Sequence, residues 1–167
     1  MRFVLLAATA VFVAAGAFAG LKSSSANTMA MLAVPLGHDQ ALTIMKTRHD
    51  GMHSIADAGK AIHRALGPTT DLPTARASSA KLVQLSQQAP GWFPAGTGPD
   101  VAKTRAKPEI WQNAEDFSSK LHNFQGAARA LAAATRGNDV VAMNARFDDL
   151  EGTCKACHDK YRAEEQH

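Results

Sequence analysis

The chain is predicted to fold as an all-α antiparallel four-helix bundle. Apolar residues recur at alternating steps of three and four along four segments between about residues 39 and 161. Gly- and Pro-rich stretches separate those segments, and no strand candidate competes with them. A length of 167 residues allows one domain of ordinary size and excludes a large multidomain enzyme. With 46% hydrophobic and 20% charged residues and a formal net charge of +3, the composition is not that of a disordered chain. It is also not basic enough to indicate nucleic-acid binding on charge alone. Aromatic residues make up only 6%, and Phe3, Phe12 and Phe18 fall in the first twenty positions. The remaining core is therefore Ala-rich and needs bulk from elsewhere.

The first nineteen residues are expected to be a signal peptide rather than part of the fold. Arg2 precedes an apolar run from Phe3 to Ala15 broken only by Thr9, and Ala17-Phe18-Ala19 has the small residues of a signal-peptidase site. The run reaches only Leu21 before Lys22 and has no basic stop-transfer cluster, so it is marginal as a membrane anchor. Export to the periplasm is the expectation. Residues 20–38 have no clear period and read as a leader, which leaves residues 39–167 for the bundle.

The first helix is expected from Asp39 to Leu66, with Leu42, Met45, His49, Met52, Ala56, Gly59, His63 and Leu66 on one face and Gly67-Pro68 ending it. A second begins with Pro73 in its first turn and carries Ala75, Ser78, Leu82 and Leu85. Three prolines and three glycines between Ala89 and Lys107 make a long ordered loop with Trp92 and Phe93 as its aromatic groups. The third helix opens at Pro108 and is expected to run to about Arg136, with Ile110, Phe117, Phe124 and Leu131 seven apart. After Gly137-Asn138 and a capping Asp139, the fourth places Val140, Phe147, Cys154 and Tyr161 in one series. Met143, Leu150 and Cys157 form the other.

Both cysteines of the chain thus lie on the core side of the last helix, in Cys154-Lys155-Ala156-Cys157-His158. This is the C-x-x-C-H spacing of c-type haem attachment. Residues three apart on a helix project from the same face, so two thiols reach the two vinyl groups on one porphyrin edge, and the adjacent imidazole turns under the ring to bind iron. A thioredoxin-type dithiol wants a βαβ context, and a structural zinc site wants four ligands where this cluster supplies three.

With those residues in view, the sequence resembles cytochrome c′ and its relatives, the class II c-type cytochromes, over roughly Asp39 to Arg162. Besides the attachment motif, which continues through Asp159-Lys160-Tyr161-Arg162, the likeness rests on Arg48-His49-Asp50-Gly51-Met52, Phe93-Pro94-Ala95-Gly96-Thr97-Gly98 and Pro108-Glu109-Ile110-Trp111. The resemblance implies one covalent haem c on Cys154 and Cys157, His158 as proximal iron ligand, and Arg162 close to the proximal haem face. It also implies a first-helix residue, four positions after an arginine, over the sixth coordination position. Arg48 to Met52 has that spacing. A rival register through Ala41-Leu42-Thr43-Ile44-Met45 would put Leu42 there but lacks the arginine, so Met52 is preferred. Relatives are commonly homodimers through their first two helices.

Two functional classes follow. A Met52 thioether bound to iron implies an electron carrier that serves redox partner proteins; an open site admits a small gas such as nitric oxide or carbon monoxide. Met52 as flexible core filler is the alternative to coordination. No motif sets an acid, base or nucleophile against the iron, so an enzyme is the least supported class. His49 and His53 are four apart and lack an evident third ligand, so they read as solvated or packed side chains, as do His63 and His122. Lys103, Arg105 and Lys107 read as a solvated run able to speed encounter with an acidic partner.

Overall fold

The computed structural model describes residues 36–164, so the expected signal peptide and all but the end of the expected leader lie outside the described residues. The elements are α1 (His38–Ala65), α2 (Leu72–Gln88), a 3-10 turn (Ala89–Trp92), α3 (Glu109–Gln112), α4 (Ala114–Ala134) and α5 (Val140–Tyr161). Short turns join α1 to α2 and α4 to α5, and the long segment after Trp92 carries the chain from one helix pair to the other. Besides packing within these two pairs, α2 packs on α4. The four long helices form the expected bundle.

Local chemistry accounts for the helix ends. Asp71 accepts a hydrogen bond from the Thr74 amide at 3.1 Å and starts α2, with Pro73 in the first turn. Asp139 accepts from the Ala142 amide at 3.0 Å and starts α5, as expected from the sequence. The expected single helix from Pro108 to Arg136 is instead two. Asn113 leaves helical geometry at φ −123° and ψ 50°, and its side-chain amide donates to the Glu109 carbonyl at 3.2 Å. An asparagine that bonds its own backbone competes with the helical ladder, which a heptad reading does not register.

The buried line of α1 also differs from the expected stripe. It runs through Ala41, Met45, Arg48, Gly51, Ala58, Ile62 and Ala65, about one residue around the helix. Small residues and a charged one occupy it, and these carry little weight in an apolar pattern. Gly51 is required there: an added Cβ would stand 2.4 Å from the Trp92 indole. Arg48, 5% exposed, donates to Thr97 Oγ1 at 3.2 Å, to the Thr97 carbonyl at 3.0 Å and to Thr104 Oγ1 at 3.1 Å, and its guanidinium lies 5.2 Å from the centre of the Phe93 ring. The long loop is thereby fastened to α1. Trp111 holds it from the other side, donating from Nε1 to the Phe93 and Pro94 carbonyls, each at 3.1 Å.

The loop returns beside the end of α5. The Lys107 amide donates to the Tyr161 carbonyl at 3.0 Å and the Ala163 amide to the Arg105 carbonyl at 2.8 Å. Tyr161, 3% exposed, packs edge-on against Phe117, and its hydroxyl donates to Asp116 of α4, which also accepts from Lys160 at 2.9 Å. Two apolar clusters result. One is built around Ile62, Leu82, Phe124, Leu131, Met143 and Phe147, the other around Trp92, Ile110, Phe117, Leu121 and Tyr161.

Gly51→Ala is expected to destabilise the holoprotein by about 1–3 kcal/mol, because the indole facing it is held by packing. Gly126→Ala, in the interior of α4 where an added Cβ meets nothing within 4 Å, is expected to stabilise it by roughly 0.5–1 kcal/mol. Guanidinium unfolding midpoints of the two variants should therefore move in opposite directions.

The hydrogen bond from Tyr161, then that from Lys160, holds the Asp116 carboxyl below its ordinary range. Its folded value is depressed, so the stability it contributes is present above the unfolded carboxylate value of about 4 and is lost as pH falls. Asp116→Asn is expected to flatten the acid limb of a stability–pH profile while lowering stability near neutral pH. An acid limb as steep as in the wild type would show that the pair does not couple to folding.

Candidate haem site

Between the two clusters lies an apolar cavity of about 570 Å³, within the range of sites for small molecules and cofactors. α5 contributes Phe147, Leu150, Cys154, Cys157 and His158 to its wall, and α1 contributes Met52, Ile55, Ala56, Gly59 and His63. Leu82 of α2, Ala89 of the 3-10 turn, and Leu121 and Phe124 of α4 complete the apolar lining. Cys154 packs against the first cluster, Cys157 and Met52 against the second, and Ile55 against both. The three residues of the attachment motif therefore share one cavity with a thioether from another helix.

The second half of the expected α1 stripe, Met52, Ala56, Gly59 and His63, lines this cavity rather than the helix-packed core. Leu42, of the rival register, is 38% exposed on α1 and is not part of the cavity wall. Met52 is the residue that the structure brings to the cavity with the motif.

Both cysteines are half-buried and not joined in a disulfide. Burial pushes the Cys154 thiol up, with Glu151 adding to the effect; burial likewise raises Cys157 against a smaller opposing influence of Lys120. Burial opposes the thiolate form, so a buried thiolate pair competing for soft cations is disfavoured. His158 stands at the cavity's rim, partly in solvent. Partial enclosure first, then the Arg162 and Arg105 guanidinia, hold its imidazolium form below the ordinary histidine range. A neutral imidazole with a lone pair available to a metal is the form favoured at neutral pH.

Arg162 lies just beyond α5, exposed, its amide donating to the His158 carbonyl at 3.0 Å. It acts on His158 through charge and does not line the cavity. Arg48 is also outside the lining, its guanidinium engaged by Thr97 and Thr104. Sequence reasoning did not find Lys60, Arg64 and Lys120, the cations at the cavity's edge, or the apolar wall formed by Leu82, Leu121 and Phe124. Isolated lysines and arginines on helices carry no pattern that separates them from a solvated face. The apolar wall residues do carry a signal, since they belong to the helical stripes, but a stripe does not say which of its members face a partner helix and which face a cofactor.

A helical bundle with this cavity, two thiols three apart and an adjacent imidazole on its wall defines a protein of the class that carries covalent haem. Comparison with known proteins agrees. A family model described as Cytochrome C′ matches residues 43–162. Cytochrome c′ of Rhodospirillum rubrum is 32% identical over 147 residues, covering 87% of this chain and 95% of its own length. The crystal structure of cytochrome c′ from Thermochromatium tepidum superposes with a TM-score of 0.69 at 31% identity, covering 78% of this chain and 100% of that one. A nitric oxide complex of a cytochrome c prime mutant from Alcaligenes xylosoxidans superposes with a TM-score of 0.68 at 28% identity, covering 75% and 97%. The chain belongs to the cytochrome c′ family, and its cofactor is haem c.

The cavity's volume, its apolar wall and its set of sulfur and nitrogen donors fit that group. The haem of the purified protein is expected to stay with the polypeptide through acid–acetone extraction and to show the pyridine haemochrome of haem c. Replacing both Cys154 and Cys157 with Ala should release it into the organic phase. Retention of colour by the double variant would place the attachment elsewhere.

Proposed function

We propose that the protein is an exported one-electron carrier, with haem c held through Cys154 and Cys157, His158 as proximal iron ligand and Met52 as the distal ligand. The observation that carries this reading is that Met52 and the C-x-x-C-H residues line one apolar cavity while Leu42 stands outside it. Haem c would supply a reversible iron(III)/iron(II) couple, whose potential a thioether donor such as Met52 would raise. The chain's own residues exclude water around that couple with Leu82, Leu121, Phe124 and Phe147, and keep His158 neutral. Arg162 is proposed to tune the proximal side through its charge on His158. For Arg48 the proposal is an indirect role: by fastening the loop to α1 it sets the position of Met52 one turn further on.

A second reading, reversible binding of nitric oxide or carbon monoxide at a vacant iron position under Met52, is supported by the nitric oxide complex among the similar structures. Neither reading assigns a catalytic role. The signal-peptide pattern supports periplasmic localisation, and no helix among the described residues is long and apolar enough to cross a membrane. A homodimer is proposed from the family; one similar structure is that of a cytochrome c′ with ligand-controlled dimer dissociation.

Optical spectra of the oxidised, reduced and carbon-monoxide-treated protein test the distal assignment. The electron-carrier reading expects a low-spin spectrum unchanged by carbon monoxide. Met52→Leu should then become high-spin and reactive, at a packing cost below about 1.5 kcal/mol. A wild type that is already high-spin and binds carbon monoxide readily would replace this reading with the second one.

A further inference from the structure

His49 and His53 occupy one turn of α1 outside the haem cavity, both exposed, their ring centres 4.5 Å apart and their planes inclined at 57°. Neither imidazole makes a hydrogen bond to another side chain or backbone group among the described residues. Two exposed aromatic rings with unspent nitrogens are thus held side by side by the helix, since residues i and i+4 share a face.

The spacing has a coordination-chemical meaning. Metal–imidazole bonds are about 2.0 Å. Adding roughly 1.2 Å from the ligating nitrogen to the ring centre, two imidazoles at right angles on a square-planar ion have centres about 4.5 Å apart, whereas a tetrahedral ion requires about 5.2 Å. The observed separation is the right-angle value. We propose that His49 and His53 form a surface site for a divalent transition-metal ion of tetragonal preference, copper(II) foremost, with the two imidazoles as cis ligands and water in the remaining positions. Imidazole donors and the ordinary order of divalent affinities favour copper over nickel and zinc. Asp50, between the two in sequence, is hydrogen-bonded by Lys46 and its carboxylate lies in the electrostatic field of both imidazoles; the two rings are the anchorage, in keeping with the absence of any group of three or more metal-ligating side chains among the described residues. Such a site binds by preorganisation of two donors on a rigid helix rather than by enclosure, and it is separate from the iron, whose cavity is lined by Met52 and Ile55 on the neighbouring face.

The test is a copper(II) titration of the haem-loaded protein against a weak competing chelator, read by electron paramagnetic resonance. The wild type is expected to take up a single tight equivalent whose hyperfine pattern shows two equatorial nitrogens. His49→Ala and His53→Ala should each weaken that equivalent by at least the ~10–100-fold that loss of even an outer-shell partner costs a metal site. His122→Ala, an exposed histidine of α4, should leave it unchanged. The haem absorption of all three variants should match the wild type, which separates loss of copper from loss of fold. Zinc is expected to be displaced by copper from the same equivalent. Copper uptake that survives both His49→Ala and His53→Ala, or a wild-type signal with a single nitrogen, would overturn the proposal.

Discussion

Two apolar clusters that do not close on one another set the character of this molecule. In an ordinary bundle the stripes of all helices meet and exclude water; here Ile55, Leu82, Leu121, Phe124, Phe147 and Leu150 line a cavity of about 570 Å³. Apolar surface left in this way is unfavourable in water. Haem c, the cofactor of the family, supplies the missing bulk. This accounts for a composition with 6% aromatic residues in a chain that must still build a core. The prosthetic group is structural as well as functional, and the helices that carry its donors are parts of the same packing arrangement.

Holding α1 at the right distance from α5 then becomes the fold's second task. A buried arginine performs it. Arg48 donates to two hydroxyls and a carbonyl of the loop, and one turn further on Gly51 lets Trp92 approach the α1 backbone. A positive charge in this position would be costly without such partners, and burial does lower the affinity of the guanidinium for its proton. At the other end of the same loop, Tyr161 and Asp116 join α5 to α4. The segment bearing His158 is fixed within the last turn before that junction.

Electrostatics in the cavity favour uncharged donors. Partial enclosure with two nearby guanidinia favours the neutral form of His158. The cations Lys60, Arg64 and Lys120 stand at the cavity's edge. An apolar interior with charge confined to its rim is suited to a redox centre whose own charge changes by one, and equally to a pocket for an uncharged diatomic ligand.

Much of this was legible before any coordinates. Heptad spacing with Gly and Pro punctuation determined four helices; Cys154, Cys157 and His158 determined the cofactor, because their spacing serves covalent chemistry that few other patterns serve. Helix capping by Asp139 and the stop after Leu66 were equally local. Three things were decided only by the tertiary structure. The break at Asn113 depends on a side chain bonding its own backbone. The inner line of α1 runs through Ala41, Arg48, Gly51 and Ala58, residues whose burial reflects a neighbour's shape or a loop's hydrogen bonds rather than their own hydropathy. Finally, Met52 lines the cavity that the motif also lines and Leu42 is exposed outside it, a distinction of helix rotation that the sequence registers leave open. Local periodicity and covalent spacing are properties of the chain itself, whereas the rotation of a helix against its neighbours is set by contacts between residues far apart in sequence.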